Sequence, residues 1–387
     1  MKKIKNLPLF YACYGLMFFA ANLAHPITPA FFESLNYPNY MFGVAFSLMS
    51  LGVFLISPMW SKIAEKHGYI KVMSLGMVVY GLAQLWFGLG RNIVSTLLAR
   101  LLAGIFTAAT QVGGLLYISN FFEEEKKGER ISLAMALQVS IGAAGFFLGG
   151  YLGNINIMLP LYIQPILCIL IAVFAFFTCE DIASDSSKKI KLEEINPFKA
   201  FGGVLKILTP TIVVFYAIVA LVSFSITCYD TSFNYYIKNV LNLPSIYNGA
   251  IKGSIAVIGL LLNFTLNRYV SNKFKPYNTN IVYYGLSILF LTIFIITQNF
   301  VIFLTSAILV FITDSITKPI QQIMGTTNST VYGGYNSINA LGMVSGSLSA
   351  GYLYTVNPKL PFYASLFILL IAFILSFINK KQRQMNV

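Results

Sequence analysis

What most constrains this chain is a series of apolar runs, each long enough to cross a lipid bilayer. A helix needs about 20 apolar residues for that crossing. Twelve such runs follow one another, at roughly 8–32, 41–60, 72–90, 93–119, 131–153, 156–178, 208–236, 247–267, 280–298, 300–324, 334–356 and 361–379. Charged residues are only 10% of the 387, against about 25% in ordinary soluble domains. The chain therefore reads as an all-α membrane protein with twelve transmembrane helices. The longest polar segment, 180–206, separates the sixth run from the seventh. It predicts two six-helix halves, 1–179 and 207–387, joined by a linker.

Lysine and arginine placement sets the topology, because cytoplasmic loops are enriched in both. With the N-terminus inside, the inner segments hold Lys2, Lys3 and Lys5; Lys62, Lys66 and Lys71; Lys126, Lys127 and Arg130; Lys188, Lys189, Lys191, Lys199 and Lys206; Arg268, Lys273 and Lys275; and Lys380, Lys381 and Arg383. The outer loops hold only Arg91, Lys238 and Lys359, while Arg100, Lys252 and Lys318 fall within runs. Both termini are expected in the cytoplasm. The same bias accounts for the net charge of +13 and argues against nucleic-acid binding. The first apolar run continues well past a signal-peptide core and is expected to be retained as a helix. Cys13, Cys168, Cys179 and Cys228 form no CxxC pair and read as small packing residues.

The two halves repeat. Gly145-Phe-Phe-Leu-Gly149-Gly150-Tyr151-Leu152 in the fifth run is matched by Gly346-Ser-Leu-Ser-Ala350-Gly351-Tyr352-Leu353 in the eleventh, at a constant offset of 201 residues. Both runs are fifth in their half. Small residues at this spacing also let membrane helices approach closely.

Four local patterns point to one family. The loop Ser61–Lys71 carries Glu65, Lys66 and Gly68 and resembles the helix 2–3 signature of the major facilitator superfamily, with Ser61 where the first glycine is usual. Arg100 followed by Gly104 resembles the helix 4 signature of that family. Pro26 and Pro29, beside His25, resemble the first-helix Pro-x-x-Pro of its twelve-helix drug–proton antiporters. Gly145, Gly149 and Gly150 resemble the antiporter signature of helix five, with Phe146 replacing its proline. The resemblance implies two pseudo-symmetric six-helix halves and alternating access. It also implies that Arg100 takes part in proton transfer and that Glu65, with Lys66 and Gly68, gates the inner face near helix eleven. The loop before that helix, 325–334, carries no charge, so its N-terminal dipole is expected to favour the Glu65 carboxylate.

The residues add their own argument. Of the 13 acids, ten lie in cytoplasmic segments and Glu33 at the end of the first run. Only Asp230 and Asp314 fall inside runs. Ionised groups there cost about 2.5–3.5 kcal/mol on insertion scales, and a carboxyl group held from water can exchange a proton near neutral pH. Asp230, Asp314, Arg100 and His25 are the expected proton-coupling residues. For Asp314 a structural reading also stands, because Lys318 is four residues on. Tyr229, Phe233 and Asn234 beside Asp230, with Gln111 and Gln138, are expected to line a substrate cavity.

No catalytic or metal-binding motif is visible. The expectation is a transporter rather than an enzyme, with no cofactor and the proton gradient as energy source. It is expected to act as a monomer in the bacterial plasma membrane. The first reading is export of amphipathic molecules in exchange for protons. The alternative is a proton-coupled carrier of a nutrient, siderophore-like or lipid-linked molecule.

Overall fold

A computed structural model describes residues 7–121, 124–181, 208–262, 265–266, 268–325 and 329–385. Its regular elements are helices: α1 Leu7–Asn22, α2 Thr28–Ser34, α3 Met41–His67, α4 Tyr69–Leu89, α5 Ile93–Phe121, α6 Glu124–Ile155 and α7 Met158–Thr178. After the linker come α8 Pro210–Asn239, α9 Ser245–Leu262, α10 Arg268–Lys273, α11 Pro276–Ile296, α12 Phe300–Gly325, α13 Ser329–Val356 and α14 Leu360–Met385. From residue 182 on, the linker expected over 180–206 lies outside the described residues.

Among the described residues, eight helices are long and apolar enough to cross a membrane, and α3 makes a ninth when its two arms count as one span. Proline explains both departures from straight spans. The arms of α3 meet at 53° between Ser57 and Met59, and Pro58, which has no backbone N–H for the helical ladder, stands at the bend. The first apolar run divides into α1 and α2 around Pro26, which shortens α1 to 16 residues.

The chain forms two compact units: Met1–Tyr37, Leu48–Ala200 and Asn242–Gly253 in one, Pro38–Ser47, Phe201–Leu241 and Ser254–Val387 in the other. The same packing pattern occurs in each. In the first unit α1 packs on α6 and α7, and α4 on α5 and α7; in the second α8 packs on α13 and α14, and α11 on α12 and α14.

The glycine repeat has the same use in both. A Cβ on Gly145 would run into the backbone of Phe19 on α1, and one on Gly346 into the backbone of Phe224 on α8. One turn further, Gly150 lies against Gly249 of α9, and Gly351 against Tyr40 and Gly43 of the α3 end. These contacts explain why each unit takes in a short segment from the other half of the sequence. In the second unit Ser47 donates to the Val344 carbonyl at 2.9 Å, and Phe42 stacks on Tyr235 at 3.8 Å. In the first, Asn248 donates to the Pro26 carbonyl at 3.4 Å.

Candidate functional site

The break between α1 and α2 is the first unit's polar centre. Pro26 has no N–H to give, and His25 N–H bonds the Asn22 carbonyl at 3.2 Å in a tighter turn. The Ala21 carbonyl is thereby released from the helical ladder. It accepts from Tyr80 Oη at 2.9 Å and from Gln164 Nε2 at 2.6 Å, while Gln84 Nε2 donates to the same tyrosine at 2.8 Å. All three side chains are essentially fully buried. The freed Ala24 carbonyl accepts from Thr28 Oγ1 at 2.9 Å. Pro29 starts α2, where a missing N–H does no harm.

Arg100, on α5, reaches this break. It is 2% exposed, donates to Thr28 Oγ1 at 3.2 Å, and lies 3.7 Å above the Phe87 ring. The ring face offers a buried guanidinium about 0.5–2 kcal/mol of cation–π attraction. Gly104, one turn on, has the backbone of Met49 against it, so the glycine lets α3 touch α5. His25 stacks on Phe146 at 6.2 Å, and the charges of Arg100 and Lys252 both bear on it. The structure thus brings together two expected residues, His25 and Arg100, and adds Lys252. Sequence reasoning placed Lys252 inside a span without a role; its charge at that depth was the available signal.

In the second unit the polar stripe is on α12. Asp314 Oδ2 and Lys318 Nζ are 2.8 Å apart. The other oxygen, Oδ1, is buried and has no partner among the described residues. Asp230, on α8, is near enough for its charge to act on Lys318. Gln321 Nε2 donates to Tyr284 Oη at 2.6 Å and Ser287 Oγ to Thr313 Oγ1 at 2.6 Å, tying the stripe to α11. Lys318 is thus paired with Asp314 and also lies within the field of Asp230.

The rings next to Asp230 in the chain take a different place from the one expected. Tyr229 and Phe233 are fully buried and pack with Phe294 and Phe311 in an aromatic cluster. Residues 229, 233 and 236 share one helix face, whereas 230 and 234 occupy the next. Tyr229 and Phe233 thus have a packing role. Asn234, one turn from Asp230, keeps a buried side-chain oxygen with no partner among the described residues. Gln138 accepts from Tyr14 Oη at 3.0 Å, joining α6 to α1. Gln111 lies three turns beyond Arg100 on the same face of α5.

The loop expected over 61–71 is helical except at Gly68: Glu65 and Lys66 lie in the last turn of α3, and α4 starts at Tyr69. Glu65 meets Lys62 at 3.5 Å, with both side chains about two-fifths exposed; Lys66, next to it, is half-buried. Gly68 has φ +107°, a conformation open to glycine and strained for other residues. The Asp181 carboxylate fills the space where a Cβ would stand, accepting from Ile70 N–H at 3.2 Å and Lys71 N–H at 3.1 Å. An anion on a helix N-terminus is favourable. The helix that receives one here is α4, and the anion is the carboxylate of Asp181, which looked like any other cytoplasmic acid. The 325–334 segment expected opposite Glu65 falls on residues whose side chains lie outside the described part.

Among the described residues no three His, Cys, Asp or Glu side chains gather as metal ligands would. The four cysteines are free and buried.

A sequence-family profile described as Major Facilitator Superfamily matches residues 10–330. The chain is 22% identical over 395 residues to the quinolone resistance protein NorA of Staphylococcus aureus, with 98% of this chain and 97% of NorA covered. It is 21% identical over 377 residues to multidrug resistance protein 1 of Bacillus subtilis, covering 94% and 93%. Among solved structures it superposes on the human organic anion transporter MFSD10 with a TM-score of 0.71 at 16% identity, covering 95% and 98%. A bacterial homologue of the human lysosomal transporter Spinster gives 0.73 at 15%, covering 97% and 96%. At these identities the structures speak for the fold.

Proposed function

The chain belongs to the major facilitator superfamily, and on that premise we propose that it is a proton-coupled exporter of amphipathic small molecules. It works by alternating access, with twelve spans and both termini in the cytoplasm of a bacterial cell. Whole-length similarity to two bacterial proteins named for quinolone and multidrug resistance supports the substrate class.

The observation that carries the reading is the acid pair of the second unit. Asp314 is buried, with one oxygen on Lys318 and one without a partner, and Asp230 lies close by. A buried carboxylate is stable when protonated or when paired with a cation. A proton arriving from outside neutralises such an acid, weakens its hold on a bound amphiphile, and so exchanges one for the other. Arg100 stays charged throughout and fixes the field beside the α1–α2 break.

The alternative, a proton-coupled importer of a polar molecule, draws on Asn234 and its unpartnered oxygen. Gln138 and Gln321, by contrast, spend their amides on Tyr14 and Tyr284. Uptake of labelled amphiphiles into inverted vesicles decides between them. Uptake that requires an inside-acid gradient supports export; uptake indifferent to the gradient contradicts it.

A further inference from the structure

A structural ion pair in a low-dielectric site needs good geometry and full satisfaction of both partners, because its desolvation cost is high. The pair on α12 lacks that. Lys318 has 52% of its side chain exposed while Asp314 has 10%. Asp314 Oδ1 is left over, so the ammonium covers half of the carboxylate. The next residue is Pro319, inside the helix. It removes the N–H that would bond the Ser315 carbonyl, which loosens the helical ladder across the turn joining the two charges. The acid is buried and the base is on a long, half-exposed stem.

We propose, resting on the exchanger reading above, that Lys318 is a tethered competitor for Asp314: a built-in ammonium that holds the carboxylate when neither proton nor substrate does. The buried acid then has three mutually exclusive ways to be neutralised: a proton, Lys318, or a cationic group on the substrate. Lys318 makes the empty carrier stable without a bound proton and sets a threshold that a cationic substrate must exceed. It is a specificity-determining residue, and it discriminates by charge. The groups around the pair are Asp230 on α8, whose charge acts on Lys318, and Tyr284 on α11, which meets the charge of Asp314. On the α9 side Gly259 lies against Ser315.

The test uses the whole chain purified in detergent at pH 8 and two probes of similar size, the tetraphenylphosphonium cation and neutral tetraphenylmethane, with binding measured at equilibrium. Lys318→Met is expected to bind the cation about tenfold tighter than wild type, since a charge pair no longer has to be broken. The neutral probe should change less than about twofold, and Lys318→Arg should match wild type for both. Adding Asp314→Asn to Lys318→Met should erase the gain. Lys318→Gln, which retains a hydrogen-bond donor without the charge, serves where Lys318→Met fails to fold, and should show the same selective gain. Equal changes for both probes, no gain for the cation, or unfolding of both neutral variants while Lys318→Arg folds would overturn the proposal and leave the pair structural. Gradient-driven export by wild type is measured separately. Its absence counts against the exchanger reading, whereas the charge dependence of binding reads Lys318 alone.

Discussion

In the first unit the buried charge is a guanidinium, held by Thr28 and the face of Phe87 and bordered by a network of Tyr80, Gln84 and Gln164 around a proline-broken helix. In the second unit it is a carboxylate half covered by a mobile type of side chain, with another acid nearby. In the first centre the guanidinium keeps its proton throughout the working range of a cell. The second carries the carboxylates that the proposed coupling calls on. On the proposed function the two units hold different devices, a fixed charge in the first and an exchangeable one in the second. The close glycine contacts, by contrast, are the same in both. What is duplicated is the packing; what has diverged is the polar chemistry.

The largest effect is expected from removing the exchangeable charge. Asp230→Asn should reduce gradient-driven transport by on the order of a hundredfold, the upper range of a coupling free energy, in a protein that still purifies as a folded species. Asp314→Asn should give a loss of similar order, because it removes the carboxylate for which proton, Lys318 and substrate compete. Gradient-driven transport at the wild-type rate in Asp230→Asn breaks the contrast between the units.

Next comes the shared packing. Gly145→Val and Gly346→Val should each destabilise the protein by about 1–3 kcal/mol, since the backbones of Phe19 and Phe224 must move away. Thermal melts of the two variants should show losses of comparable size. A large loss in one and none in the other would mean that the repeat is not used equally.

The loop after α3 should respond less. Gly68→Ala places a side chain at φ +107° and displaces Asp181. A loss of about 1–2 kcal/mol is expected, from backbone strain of the left-handed kind. Asp181→Asn should cost less, about 0.3–1 kcal/mol, by removing the anion from the α4 N-terminus. Smallest of all is Glu65→Gln. Its ion pair with Lys62 is exposed, and such pairs are worth little, so the melting temperature should hardly change. If the gate reading is right, cysteine labelling on the two faces will shift toward the inward-open state. Unchanged labelling would leave the loop as a topological anchor.

How much of this was legible in the sequence depended on the range of the interaction. Apolar run length located the helices, though among the described residues eight or nine rather than twelve are long and apolar enough to span, and a fixed offset of 201 residues exposed the repeat. Arg100, Asp230 and Asp314 stood out because charge is rare at that depth, and the Asp314–Lys318 pair followed from spacing alone. What Arg100 touches was hidden, because Thr28 lies 72 residues away. Tyr229 and Phe233 looked like neighbours of Asp230, but adjacent residues on a helix point about 100° apart, and the rings went to the aromatic core. Asp181 was one of ten acids in polar segments. Only the fold shows that it stands just past α7, beside the glycine that makes room for it.

The central claim, that the exchangeable charge belongs to the second unit, has a direct test in inverted vesicles energised to be acid inside and loaded with a pH-sensitive dye. A panel of amphipathic cations and zwitterions is then added from outside. Wild-type vesicles should lose part of their gradient as an amphiphile enters in exchange for protons. Vesicles with Asp230→Asn should keep it, and vesicles with Gln84→Met, altered in the first unit's network, should behave as wild type. Collapse of the gradient by Asp230→Asn at the wild-type rate, or its preservation by Gln84→Met, would contradict the account.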